Sequence, residues 1–362
     1  MKRPEAFHRI EPAGPVLPVV LDSPHSGTDY PADFAPAAPM QALRHAEDSY
    51  VDELYACGPR HGATLIAARF PRAYIDPNRS LLDIDAELLD APWPGPAIPS
   101  RKTQLGIGLV WRKLDTGEPI YDRRLTVAEL RRRITEYHQP YQKAVKDAID
   151  AAHARFGAVW HINCHSMPAV SSVISEEGPG KPRADFVLGD RDGTTCDPAF
   201  TALVRDTLAD MGYEVKVNDP YKGVELVRAF SDPPAGRHSL QIEVNRRLYM
   251  DELSRERSAG FARLARDLER MVKAVCQYAA DRGSRAHHGH EPGHVHGPGC
   301  GHDPHHDPAR GHHHSHDHAH DHGHHHHEHH DHGHGQHDHA DNSAHGHDHA
   351  HDHGHDARKE RR

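Results

Sequence analysis

At Ala286 the composition of the chain changes abruptly. Of its 40 histidines, 31 fall in the 76 residues that follow, in runs such as "HHGHEPGHVHGPGCGHDPHHD", with Asp and Gly between them and almost no aliphatic side chains. Such a segment cannot remove enough apolar surface from water to offset the entropy of ordering it, so residues 287–362 read as a disordered tail. Folding is thereby confined to residues 1–286, which is ample for one α/β domain with a full core.

The tail also carries most of the charge imbalance. Over the whole chain 43 Lys and Arg face 53 Asp and Glu, a net charge of −10; 5 and 13 of these lie past residue 286, leaving 38 against 40 in the body. A body so near neutrality, with no basic stripe, argues against a nucleic-acid partner. The cysteines (Cys57, Cys164, Cys196, Cys276, Cys300) are odd in number and lack paired spacing. That usage fits a reduced cytoplasm better than a disulfide framework. The start, "MKRPEAFHRIEPAGP", has no apolar signal core, and no run reaches membrane-spanning length. A soluble, cytoplasmic protein with no membrane partner is expected.

Within the body, short β-branched apolar runs alternate with long amphipathic segments. Strands are expected in "PVLPVVLDSPHSG", "ATLIAARF", "AVWHINCHS", "DFVLGDR", "YEVKVND" and "SLQIEVNR". Helical spacing through Leu43, Val51 and Leu54 predicts a helix closing at Gly62. A second begins at the Thr126 cap and ends at Gly157; others span Asp197 to about Met211 and Asp251 to Tyr278. This alternation implies an α/β fold with a mixed, mostly parallel sheet flanked by helices on both faces. In such sheets ligands sit at the carboxyl ends of the strands. The rule selects His25, Asp76 to Arg79, His165, Asp190, Asp219 and Glu243.

Two chemistries compete at "HINCHSMP". Cys164 and His165 are adjacent on a strand, so they point to opposite faces and cannot form a nucleophile–base dyad. Cys164 therefore reads as a small buried residue. Ser166 lacks the G-x-S-x-G elbow, and its hydroxyl reads as a turn-holding group. Metal chemistry fits better. His25 in "SPHSG" and His165 in "CHSMP" both stand at strand-to-loop transitions, and two histidines with one carboxylate make a catalytic zinc shell. The carboxylate is Asp48 or Glu47 from the first helix, or the nearer Asp29. Glu243, in an apolar strand, is the best-placed general base, because a carboxylate there must be paired or functional; the bland alternative is a structural pair with Arg246 or Arg247. Asn78 and Arg79 in "IDPNRS", Arg191 in "LGDRDG" and Lys222 in "NDPYKG" bring donors to the same strand ends. They suggest a small acidic ligand.

The pieces "SPHSG", "VDELY", "YIDPNRS", "GEPIY", "NCHSMP", "DFVLGDRDGTTCDPAF", "NDPYKG" and "HSLQIEVNRRLYMDE" come in this order from about Val16 to Leu253. Together they resemble the N-formylglutamate amidohydrolase family. The resemblance implies a fold akin to zinc-dependent exopeptidases and hydrolysis of N-formyl-L-glutamate to formate and L-glutamate. It also implies a divalent metal, zinc first with cobalt, nickel or manganese as alternatives, on His25, Asp48 and His165. Glu243 falls at the position of the base, and Arg79 and Arg246 at those holding the substrate's carboxylates. The chain departs from the family pattern at Val224 in "YKGVELV" and in the extended "RKTQLGIGLVWR", which bear on acyl and amino-acid specificity. Another N-acyl acidic amino acid is the alternative substrate.

The tail raises a function of another class. Imidazoles at this density bind zinc, nickel, cobalt or copper loosely and in number, as a metal buffer or chaperone would. Beside a two-histidine metal site on the same chain, the expected role is accessory: gathering metal for that site.

Overall fold

The computed structural model describes residues 5–287; the expected tail lies outside the described residues. Seven strands form one sheet: β1 (Phe7–Ile10), β2 (Val19–Ser23), β3 (Thr64–Ala68), β4 (Val159–Met167), β5 (Phe186–Gly189), β6 (Val215–Val217) and β7 (Arg237–Asn245). Their order is β1-β3-β2-β4-β7-β5-β6. The run β3-β2-β4-β7 and the pair β5–β6 are parallel, while β1–β3 and β5–β7 are antiparallel. The expected mixed, mostly parallel sheet flanked by helices is what forms. Among the described residues no helix is long and apolar enough to cross a membrane.

The central strand β4 shows why the sheet has one apolar and one polar face. Trp160, Ile162 and Cys164 join Leu240, Ile242 and Val244 of β7 in a single core. The helix Phe261–His287 closes that core with Leu264, Leu268, Met271, Val272 and Val275, a stripe at helical spacing. The alternate residues His161, Asn163 and His165 face the other way. There Asp22 of β2 accepts from Tyr141 Oη of the helix Gln139–Phe156 (2.7 Å), from His161 Nε2 (2.7 Å) and from Asn163 Nδ2 (2.8 Å). His161 Nδ1 lies 2.6 Å from Ser239 Oγ of β7. A dry polar layer thus lies beneath the strand ends.

The helix from Thr126 starts with a full capping box to Glu129, passes through a π-turn at Ile134–His138 and stops at Gly157, whose φ is 75°. Two expectations change. The last helix begins at Phe261 rather than Asp251, because Asp251 Oδ1 accepts from the backbone of Leu253 and Ser254 and holds a turn there. The first helix is not continuous: it forms as Met40–Arg44 and Val51–Leu54, with a 3₁₀ turn at Gly58–His61. Leu43, Val51 and Leu54 are all buried as their spacing implies, but the chain between them breaks out of the helix. The Asp48 N–H donates to the His25 carbonyl at 3.0 Å instead of closing a helical turn, and Tyr50 adopts φ 66°.

Candidate active site

That break brings the three expected ligands together. His25 ends the β2 loop, Asp48 sits in the helix interruption and His165 lies near the end of β4; their donor atoms fall within 4.8 Å of one another. His25 Nδ1 is 3.4 Å and His165 Nδ1 3.1 Å from Asp48 Oδ2, and all three residues are no more than 2 % exposed. The loop can turn so tightly because of Gly27. A Cβ there would run into the backbone of Arg69 and Phe70. The other two carboxylates are committed elsewhere. Glu47 accepts from Tyr30 Oη (2.8 Å) and Arg255 Nη2 (3.2 Å), and Asp29 pairs with Arg69 at 2.7 Å near the surface.

The far nitrogen of each imidazole is anchored, and the anchors decide the tautomers. His25 Nε2 is 2.7 Å from Asp76 Oδ1, a carboxylate that can only accept, so Nε2 carries the proton. Asn163 donates its amide to Asp22, so its carbonyl is the group facing His165 Nε2 at 2.7 Å, and that nitrogen too is protonated. Both Nδ1 lone pairs are then free to face the centre, and His25 Nδ1 is buried without a hydrogen-bond partner. An unpartnered buried nitrogen beside a carboxylate, with the ring held from behind, suits a divalent metal. Burial alone would raise the Asp48 carboxyl, but His165 and His25 in their charged forms, with the charge of Arg72, pull it well below the usual range.

Glu243 of β7 is paired in register with His165 of β4, so the two stand side by side on neighbouring strands. Its Oε1 accepts from Gln241 Nε2 at 2.9 Å. Neither nearby arginine pairs with it: Arg246 bonds Asp48 at 3.0 Å and Arg247 bonds Asp185 at 2.6 Å. Burial, with the charge of Asp48 and against the pull of His165, raises its carboxyl above the usual value. Cys164 points into the apolar core, where burial pushes its thiol far up. Ser166 Oγ accepts from Arg246 Nε at 3.2 Å, a structural role.

His25, Asp48, His165, Ser166 and Glu243 line a cavity of about 150 Å³, together with Asn78 and Arg79. Asn78 holds the site from the side: its Nδ2 donates to Asn163 Oδ1 at 3.2 Å and its backbone N–H to Asp76 Oδ1 at 2.9 Å. Arg246 lines the cavity too, but its guanidinium is spent on Asp48, Ser166 and the His45 carbonyl (3.1 Å). It orients the Asp48 carboxylate. Arg191 and Lys222 do not line the cavity. The chain turns left-handed at Arg191 (φ 51°) and Asp192 (φ 58°), aiming Arg191 at the Gly223 carbonyl (3.0 Å) and pairing the exposed Lys222 with Asp192 (2.9 Å). Spacing in sequence could not show those turns. In their place the cavity has Arg72, Lys102 and Arg183, none singled out by the sequence. Arg72 pairs with Asp76 at 3.0 Å and stacks on Trp111 at 4.8 Å.

The chain matches the N-formylglutamate amidohydrolase family over residues 17–250. It is 27% identical over 278 residues to the N-formylglutamate deformylase of Pseudomonas putida, covering 74% of this chain and 96% of that one. A deformylase of the same name from Pseudomonas aeruginosa is 27% identical over 268 residues, covering 72% and 90%. The crystal structure of N-formylglutamate amidohydrolase from Ralstonia eutropha JMP134 superposes with a TM-score of 0.73 at 51% identity, covering 76% of this chain and 99% of that one. With this fold, and with the matched span enclosing His25, Asp48, His165 and Glu243, the chain belongs to the N-formylglutamate amidohydrolase family of amide-bond hydrolases.

Proposed function

We propose that the protein is a divalent-metal-dependent amidohydrolase cleaving N-formyl-L-glutamate to formate and L-glutamate. One observation carries the reading: two anchored imidazoles turn Nδ1 onto Asp48 beside an unpaired, buried Glu243, in a cavity walled by cations. His25, Asp48 and His165 would hold the metal, zinc before cobalt, nickel or manganese, and it would supply polarisation of the amide carbonyl and a more acidic water. Glu243 takes the proton of the attacking water and passes it to the leaving nitrogen. Asp76 and Asn163 keep the imidazoles in the required tautomer, and the cationic wall orients the dicarboxylate for attack.

The test is formate release from N-formyl-L-glutamate, set against turnover of N-acetyl- and N-succinyl-L-glutamate. Formyl substrate is expected to be fastest. Faster turnover of either other acyl group would replace the formyl specificity, and no turnover of any would refute the hydrolase reading in favour of a metal carrier.

We also infer that the tail, residues 287–362, gathers metal for this site; its 31 imidazoles support that role. A chain ended at Ala286 is expected to need more added zinc to reach full activity, with kcat at saturating zinc unaltered. Superimposable zinc-activation curves for the two chains would sink the loading role.

A further inference from the structure

The segment between Val170 and Pro182 folds out as a loop, closed at its base by an antiparallel bridge between those residues. Near its far end stand two consecutive acids, Glu176 and Glu177, both lining the cavity. Glu177 is the more buried and lies 2.5 Å from Arg183 Nη2, while the same guanidinium also donates to Ser175 Oγ (3.1 Å) and the Pro168 carbonyl (3.3 Å). That pair ties the loop to its own base. Glu176 differs: half its side chain is exposed, and its carboxylate reaches across to Lys102 Nζ at 3.1 Å. Lys102 comes from the "RKTQLGIGLVWR" segment.

Lys102 and Arg79 both face the cavity, and each repels the other's charge; with burial, that repulsion lowers the Lys102 ammonium. Arg79 is tied mainly to backbone carbonyls, Ile107 at 3.3 Å and Asn78 at 3.1 Å, and is 3.7 Å from Asp76. Arg79 thus keeps a carboxylate partner in Asp76, while the Lys102 ammonium has Glu176 as its anion. The same three residues, Arg79, Lys102 and Glu176, also line an adjoining cavity of about 440 Å³. The Glu176–Lys102 pair thus stands at the junction of the inner and outer spaces.

Resting on the amidohydrolase reading for what the substrate is, we propose that Lys102 and Arg79 form the subsite for the substrate's side-chain carboxylate, with Glu176 as a built-in carboxylate occupying it until substrate displaces it. Recognition is then an exchange of one carboxylate for another. The subsite selects an acidic over an amide side chain, because only an anion can replace Glu176 without leaving the Lys102 ammonium unpaired.

The experiment measures binding of glutarate by calorimetry to the full-length wild type, Glu176→Gln and Lys102→Met. Alongside it, KM is measured for N-formyl-L-glutamate and N-formyl-L-glutamine. Glu176→Gln keeps the side-chain shape on a half-exposed loop residue and removes the internal competitor, so glutarate is expected to bind about threefold more tightly. Lys102→Met is expected to weaken glutarate binding and raise KM for the formylglutamate about tenfold, the scale of one charge-assisted hydrogen bond, while sparing formylglutamine. Unchanged or weaker glutarate binding in Glu176→Gln overturns the proposal, as does an equal rise in KM for both substrates in Lys102→Met. If the wild type turns over neither substrate, the amidohydrolase reading fails, and the glutarate measurements still decide the subsite.

Discussion

His165→Ala is expected to lower formate release steeply, and added zinc is not expected to restore it. Metal-stripped wild type should be equally inactive but should recover on adding zinc. The loss follows from what the side chain does. It offers one of the three proposed ligand atoms within 4.8 Å, and Asn163 at 2.7 Å holds its ring in the tautomer that would ligate. Carbonyl polarisation and water acidification at such a site contribute several kcal/mol to the transition state, so a drop of roughly 10³-fold is expected. A thermal melt separates this from unfolding: alanine removes a partner from Asp48 and from Asn163, but Asp48 keeps Arg246 at 3.0 Å and Asn163 keeps Asp22 at 2.8 Å. Equal activity in stripped, reconstituted and His165→Ala protein would remove metal from the chemistry altogether.

Glu243→Gln is expected to lower kcat by about 10²- to 10⁴-fold with little change in KM, because the amide keeps the shape and cannot accept a proton. The pH profile carries a second signature. Burial raises the Glu243 carboxyl above its usual value, and a base works only when ionised. Wild-type activity should therefore fall as the pH drops through that raised value, on a limb lying above ~4.3, the ordinary glutamate pKa. Asp48 and Asp76 cannot produce this limb: although burial opposes their ionisation, their histidine and arginine partners hold both well below the usual range, so they stay charged throughout it. The limb should vanish in Glu243→Gln. A surviving limb of the same position, or a kcat within twofold of wild type, would assign the base elsewhere.

Strand positions were the most legible part of this chain. The alternation rule separated Cys164 from His165, and the structure puts the thiol in the apolar core and the imidazole at the site. His25, His165 and Glu243 meet in one cavity as their strand-end positions imply, because a strand end is a sequence signal in itself. Asp48 could not be separated from Glu47 and Asp29, since its placement depends on a hydrogen bond from its N–H to the His25 carbonyl, 23 residues earlier. Arg191 and Lys222 stand outside this cavity, Lys222 lining the adjoining one, because left-handed residues redirect the chain and no local pattern announces an arginine at φ 51°. Arg72, Lys102 and Arg183 arrive from three separate segments, and only the folded chain makes them neighbours. The edge strand β1, four residues long with three exposed, carries too little pattern to be seen.

The pairing of His165 with Glu243 has a consequence for how the site fails. The proposed ligand and the proposed base are rungs of one backbone ladder, β4 against β7, matched from Val159–Arg237 to Met167–Asn245. Their separation is set by the spacing between hydrogen-bonded strands, ~4.8 Å, rather than by a hinge or a loop. Sliding either strand by one residue would throw its side chain onto the apolar face, so no intermediate geometry exists between an aligned pair and none. Catalytic alignment is in this sense digital. Heating or mild denaturant should leave the surviving molecules at full rate and reduce only their number, while changes in what the enzyme accepts can accumulate in the loop carrying Glu176 without disturbing the ladder beneath.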